Sequence, residues 1–445
     1  MRKIRTACTM VIFVAVSAGC DSNVPEKGKL YFDAAIRPDS GINKDGGGGG
    51  ADSGSDNQSD AGSDPGSGGC PEGLSGENCD VCIRYVNQES EYPYPDGFSW
   101  SGAFRKIQRA IESAKTATET HGESLVCEVW VAAGRYYIYG SDSLNTHHAE
   151  DTVRLYPRVE VYGGFTGIEK DRSGRDFRTN ETILDGHEHE DSNKRVLHVV
   201  TGSDDAVIDG FTVTGGKADG DIKIDTRGGG ILLDEASTAV SNCIVMQNTA
   251  ERGGGLGIIY ASPVIRNCTF SHNSAGSGGG VYIDFESEPV FENCVFSKNS
   301  AENGAGMFLY DYEGTVFVTN ATFYANEAED RGSAVYIIYG NAGIVNSIFW
   351  NDVPDEIYNN SNKNEVAVSY CNVQGGFSGP ENIVADPLFN DPVNDDFSLK
   401  QGSPCIDTGD DSSAPDADIT GATRTDIPDA GIPGRISDMG AYEFR

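Results

Sequence analysis

GGGLGIIYASPVIRNCTFSHNSAGSGGGVYIDFESEPVFENCVFSKNSAENGAG, residues 253–306, states one pattern twice and begins a third copy. A small-residue triplet opens a run of alternating apolar residues, and further on an Asn is followed by another apolar pair. The triplets start at Gly228, Gly253, Gly278, Gly304 and Gly332, in steps of 25, 25, 26 and 28 residues. A repeat of this length cannot bury its apolar side alone; stacking on the next copy does so, which predicts one solenoid turn per repeat. The fold expected is all-β, a right-handed parallel β-helix.

Aligned, the repeats place Asn242, Asn267, Asn293, Asn320 and Asn346 in one column, with Val240, Ile265, Phe291, Val318 and Ile344 two residues earlier. Alternation breaks at the Asn and restarts after it, which predicts a bend there, since Asn tolerates left-handed backbone. In an earlier coil Gly210 takes the bend. A second Asn (Asn248, Asn273, Asn299, Asn326) is expected to close the following turn. Cys243, Cys268 and Cys294 follow the first Asn and should stack about 4.8 Å apart, as free thiols or as a bridge. About nine coils would make a rod on the order of 40 Å long. Phe104, Ile107, Ile111 and Ala114 fall at helical spacing between Ser101 and Lys115, a short N-terminal capping helix; the segment from 374 to 445 is expected to close the other end. A polar insertion, Ala218 to Thr226, should project as a loop.

The chain has 445 residues, 56 Gly and a formal charge of −35, of which −33 falls on residues 70–445. That acidity excludes a nucleic-acid footprint and leaves cations, neutral glycans or basic proteins as partners. Residues 1–20 read as a secretory signal: Arg2, Lys3 and Arg5 precede an apolar run too short to span a bilayer. Ser17-Ala18-Gly19-Cys20 resembles the bacterial lipoprotein processing box, which implies lipidation of Cys20. The expected address is the cell envelope, at the outer membrane or cell surface, with Asp21 leaving inner-membrane retention open. Residues 21–69, rich in Gly, Ser and Asp, read as a tether spanning roughly 40 Å.

Residues 70–82 resemble a fragment of an EGF-like module, implying a Cys70–Cys79 bridge with Cys82–Cys127 as a further pairing. Residues 83–373 resemble bacterial right-handed parallel β-helix repeat proteins through VWVAAGRYYI, VEVYGGFTGIE, TILDG and IDGFTVTGG, and the triplets with FSHN and FSKN resemble polymorphic outer-membrane protein repeats. The tail, with GSPCIDTGD from Gly402 and DMGAYEF from Asp438, is similar to the choice-of-anchor Q domain. Cys405 stands where that family has Ala, which opens a bridge to Cys371.

No catalytic residues transfer from these families. Asp204 and Asp205 form an acidic pair but face opposite sides of a strand; His187 and His189 sit in a polar loop. Calcium is the cation suited to Asp219, Asp221 and Asp225, or to Asp391, Asn394, Asp395 and Asp396, although neither set matches a defined loop. On the outward side of successive rungs, Tyr282, Phe308 and Tyr336 line up, flanked by Tyr310 and Asp284: an exposed binding platform for a glycan or protein. The function expected is a non-catalytic, lipid-anchored adhesion or glycan-binding module. The alternative is an envelope polysaccharide lyase or glycoside hydrolase, distinguished by ionisable groups converging in a groove.

Overall fold

The computed structural model describes residues 74–75, 81–122, 124–141, 148–427, 431–432 and 434–445. Cys20, the Gly/Ser/Asp-rich segment and the Cys70–Cys79 pair lie outside them. Among the described residues no helix is long and apolar enough to cross a membrane.

One coil shows the construction. Leu256–Ile259, Val264–Arg266, Thr269–Ser271 and Ser274–Ser277 are four short strands joined by bends. Each pairs in parallel register with its counterpart in the next coil: Leu256 with Val281, Ile265 with Phe291, Phe270 with Phe296, Ala275 with Ala301. The expected winding is therefore the observed one, an all-β right-handed parallel β-helix. One face is a nine-stranded parallel sheet from Gly134–Tyr137 to Asn372–Val373, matching the coils counted in the sequence.

The bends follow the residue types. Asn242, Asn267, Asn293, Asn320 and Asn346 have φ between 51° and 54°, the left-handed region, with Gly210 and Tyr370 at the equivalent positions in the flanking coils. The second bend corrects an expectation. Its left-handed residues are Gln247, His272, Lys298 and Ala325, one place before the Asn. The second Asn turns inward instead. Asn248 Nδ2 donates to Asn273 Oδ1 (3.2 Å), Asn273 to Asn299 (3.1 Å), Asn299 to Asn326 (2.9 Å) and Asn326 to Asp352 Oδ1 (2.7 Å). All four are buried, and each also donates to a backbone carbonyl one rung back, as Asn273 does to Val245. This buried amide column satisfies polar groups that would otherwise sit unpaired in the core.

Apolar columns fill the rest. Phe270, Phe296, Phe323 and Phe349 stack with ring centroids 4.5–5.3 Å apart. Cys243, Cys268 and Cys294 are free and buried, as the thiol-ladder alternative expected, and Cys371 occupies the same place after the Tyr370 bend. Burial pushes the Cys294 and Cys371 thiols up to about 12, so they stay protonated and unreactive.

The capping helix runs Ile107–Thr120, starting and ending later than expected, and buries Ile107, Ala110, Ile111, Ala114 and Ala117. Beneath it Cys82 and Cys127 pair in register on adjacent rungs and form a disulfide. The Cys371–Cys405 bridge is not formed; both are free. The start of the tail meets the last coil, with Phe377 against the core and Ile383 paired with Asn372, and the rest lies along the flank of the coils. Asn293 Nδ2 donates to Ala417 O, Asn320 Nδ2 to Asp438 O and Asn346 Nδ2 to Asp410 O, so the outer amides of the first-bend column hold it. Arg178, far upstream, donates to the carbonyls of Ile419 and Thr420.

The inner Asn column ends on a carboxyl pair. Asp352 Oδ2 and Glu356 Oε2 are buried without a donor among the described residues, beside a cavity of about 320 Å³ that Asp355 and Gln374 also line. Burial, then the Asp352 charge, holds Glu356 far above the usual carboxylate range, so the pair retains a proton at neutral pH.

Two outcomes test this packing. Asn273→Ala strands the Asn248 side chain and two backbone groups, and should lower unfolding stability by about 1–3 kcal/mol per group left unpaired, read from denaturant midpoints. Glu356 binds a proton in the folded chain that the unfolded carboxyl releases above about pH 4.3. Its contribution is therefore present at low pH and declines as pH rises. Glu356→Gln should accordingly gain stability relative to the wild type as pH rises from about 5 to 8.

Candidate functional site

The aromatic row points away from the coil core, as the alternation predicts. Tyr282, Phe308 and Tyr336 stand in register on adjacent strands, with centroids 5.6 and 5.2 Å apart, and form a cluster separate from the main core. The expected exposed platform is corrected: these residues are only 2, 5 and 9% exposed. Tyr358 extends the row, 5.2 Å from Tyr336. Sequence alignment missed it because its rung carries no small-residue triplet. Tyr310 pairs with Tyr339 across a β-bulge, so it is displaced from the simple column with Ile338.

The cover comes from the residue just before each triplet. Arg227, Arg252, Ser277, Asn303 and Arg331 are mutually in register and overlie the outer face. At Gly257, where other rungs carry an aromatic, a Cβ would come within 2.9 Å of the Gly228 amide nitrogen. Only glycine lets the Arg227–Gly228 backbone lie so close. The insertion is exposed at Asp219, Asp221, Ile222 and Lys223, and its 3-10 turn Lys223–Thr226 sets Lys223 5.1 Å above the Phe285 ring.

These elements enclose a groove of about 470 Å³ lined by Lys223, Arg252, Tyr282, Asp284, Tyr310 and neighbouring rings. Arg227 Nη2 donates to Asp284 Oδ2 at 2.8 Å, and the Tyr282 hydroxyl donates to the same oxygen at 3.0 Å. Arg252 Nη1 reaches the Tyr282 hydroxyl at 3.4 Å and its guanidinium lies 5.5 Å from that ring. Arg227 and Asp284 are 3 and 1% exposed. Burial raises the Asp284 carboxyl above its ordinary range while Arg227 draws it back; burial likewise raises the Tyr282 hydroxyl. Two buried polar atoms find no partner here, Arg227 Nε and Asp284 Oδ1.

Sequence analysis named Tyr282, Phe308, Tyr310, Tyr336 and Asp284; the structure brings Tyr282, Phe308, Tyr310 and Asp284 to the groove and leaves Tyr336 beside Phe308 outside its lining. It missed Lys223, Arg227 and Arg252. The available signal was the basic residue preceding two successive triplets.

The other candidates are not brought together. Asp204 caps the Ser237 amide and Asp205 is an exposed turn residue with φ 54°. His187 pairs with Asp185 at 2.6 Å, while His189 packs edge-on to Tyr137. Of the calcium candidates, Asp219 pairs with Lys217, Asp395 pairs with Lys298, and Asn394 bonds Asp391. Among the described residues the acidic groups close enough to share an ion are instead Asp407, Asp438 and Glu443, where Arg424 already bonds Glu443 at 2.8 Å.

Arg227→Ala should cost about 3–5 kcal/mol, because it leaves the Asp284 charge buried without its cation. Pairing Arg227→Met with Asp284→Leu should recover most of that loss, as read by thermal melts of the single and double variants.

No curated protein matches the chain. Three solved structures resemble it at low identity. A pectate lyase, Pel9A, is 14% identical, with 82% of this chain and 96% of that one covered and a TM-score of 0.36. A pectin methylesterase from carrot is 10% identical, covering 67% and 82%, with a TM-score of 0.31. PfbA, a surface adhesin of Streptococcus pneumoniae, is 12% identical, covering 62% and 75%, with a TM-score of 0.28. Residues 196–373, which carry the groove, match the family model described as the right handed beta helix region.

Proposed function

We propose that this protein is an exported, lipid-anchored module of the bacterial cell envelope, held through Cys20 and binding sugar chains in the groove over Tyr282. The observation that carries the sugar reading is the adjacent pair of unpartnered buried atoms, Arg227 Nε and Asp284 Oδ1. One needs an acceptor and the other needs a donor. A hydroxyl group supplies both, and sugars present hydroxyls next to apolar ring faces that stack on aromatic side chains. Tyr310, half-buried at the groove wall, offers such a face.

A second reading, an envelope polysaccharide lyase or hydrolase, is favoured by the convergence of Asp284, the Tyr282 hydroxyl, Arg227 and Arg252 within hydrogen-bond reach. Hydrolysis by the usual route needs two carboxyls flanking the bond, and Asp284 supplies one.

The test is incubation of the full chain with a panel of envelope and host oligosaccharides, followed by retention and product analysis. Binding without cleavage, reduced at least tenfold by Tyr310→Ala and by Asp284→Asn, is expected. Recovery of shortened or unsaturated products would move the protein to the second reading. Retention unaffected by both variants would remove the groove from its function. Metabolic labelling with a fatty acid should mark the wild type and not Cys20→Ser.

A further inference from the structure

The charge around the groove opposes the charge of the molecule. The chain carries 68 acidic against 33 basic side chains, yet the groove is lined by Lys223 and Arg252 with Asp284 as its acidic member, and the buried Arg227 bonds that carboxylate. Arg227 is committed to Asp284 at 2.8 Å. Arg252 and Lys223 make no ion pair among the described residues; Arg252 reaches the Tyr282 hydroxyl and Lys223 hangs over Phe285. Both contacts hold the cation at the groove without neutralising it.

An acidic polymer approaching this protein meets long-range repulsion nearly everywhere. Two cations without a direct ion pair beside a cavity reduce that repulsion at one place, and a guanidinium presents a planar fork suited to a carboxylate or sulfate. A neutral sugar could accept hydrogen bonds from these cations but would lack the charge pairing that an anionic group adds. Resting on the reading of the groove as a sugar site, we infer that its ligand is an acidic sugar chain, with hydroxyls meeting Arg227 and Asp284 and an anionic substituent meeting Arg252 and Lys223. Carboxylate and sulfate share this chemistry, so the deciding feature is the anionic group.

The experiment measures binding of the full chain by calorimetry to three oligosaccharides of equal length and linkage: a neutral glucose oligomer, its uronic-acid counterpart and its sulfated counterpart. The acidic oligomers should bind at least tenfold tighter than the neutral one at low salt, with the margin shrinking as salt rises. The arm that gains more identifies carboxylate or sulfate as the natural group. The double substitution Lys223→Gln, Arg252→Gln should bring acidic affinity down to the neutral level. Circular dichroism melts report whether the double variant is folded, and Lys223→Gln alone, at an exposed site, should already narrow the margin. Equal binding of neutral and acidic oligomers sinks this inference and leaves the sugar reading standing. An acidic preference that survives both substitutions assigns it to another surface and also sinks it. Binding of none of the three overturns this inference and the sugar reading together.

Discussion

Every rung of this solenoid must hand its polar groups to the next one. A coil of four short strands has no hydrogen-bonded partner within itself, so its backbone is paired only by the coils above and below. The side chains obey the same rule at the corners. Asn248, Asn273, Asn299 and Asn326 each give one proton to the next side chain of the column and one to a carbonyl behind. The column needs an acceptor at its end and finds it in Asp352, which with Glu356 forms a buried carboxyl pair raised by burial. In-register stacking is thus required by polar satisfaction as well as by apolar burial, and it places equivalent side chains in lines.

That stacking explains what the sequence revealed. The triplet spacing determined the winding, and a column of Asn with an apolar residue two places earlier located the first bend. Even the thiol column followed from counting. What lay beyond reach was anything decided by side chains crossing between rungs. Gln247, His272, Lys298 and Ala325 share a left-handed bend but no chemistry, so no residue pattern marked it. The exposure of Tyr282 and Phe308 was misjudged because alternation reports which side of a strand a residue occupies, not what lies over that side. Arg227, bonded to Asp284 57 residues further along the chain, lies over the Tyr282 ring.

The groove inherits its character from this arrangement. Residues preceding successive triplets are brought over the outer sheet face by the same turn that brings each triplet into the coil. A cation there becomes a neighbour of the aromatic row as a consequence of the repeat. The insertion adds Lys223 to the rim, and Gly257 makes room for the covering backbone. The fold supplies the lines, and the irregular rungs supply the site.

The tail laid along the flank has a mechanical meaning. Stacked repeats exchange forces mainly with nearest neighbours, and such arrays fray from their ends one unit at a time. Here Asn293, Asn320 and Asn346, on three successive coils, grip a single stretch of chain that also meets Arg178 far upstream. Opening one rung must therefore loosen a strap shared by several. Such a splint turns piecemeal fraying into a more cooperative event and shields the flank it covers from protease attack.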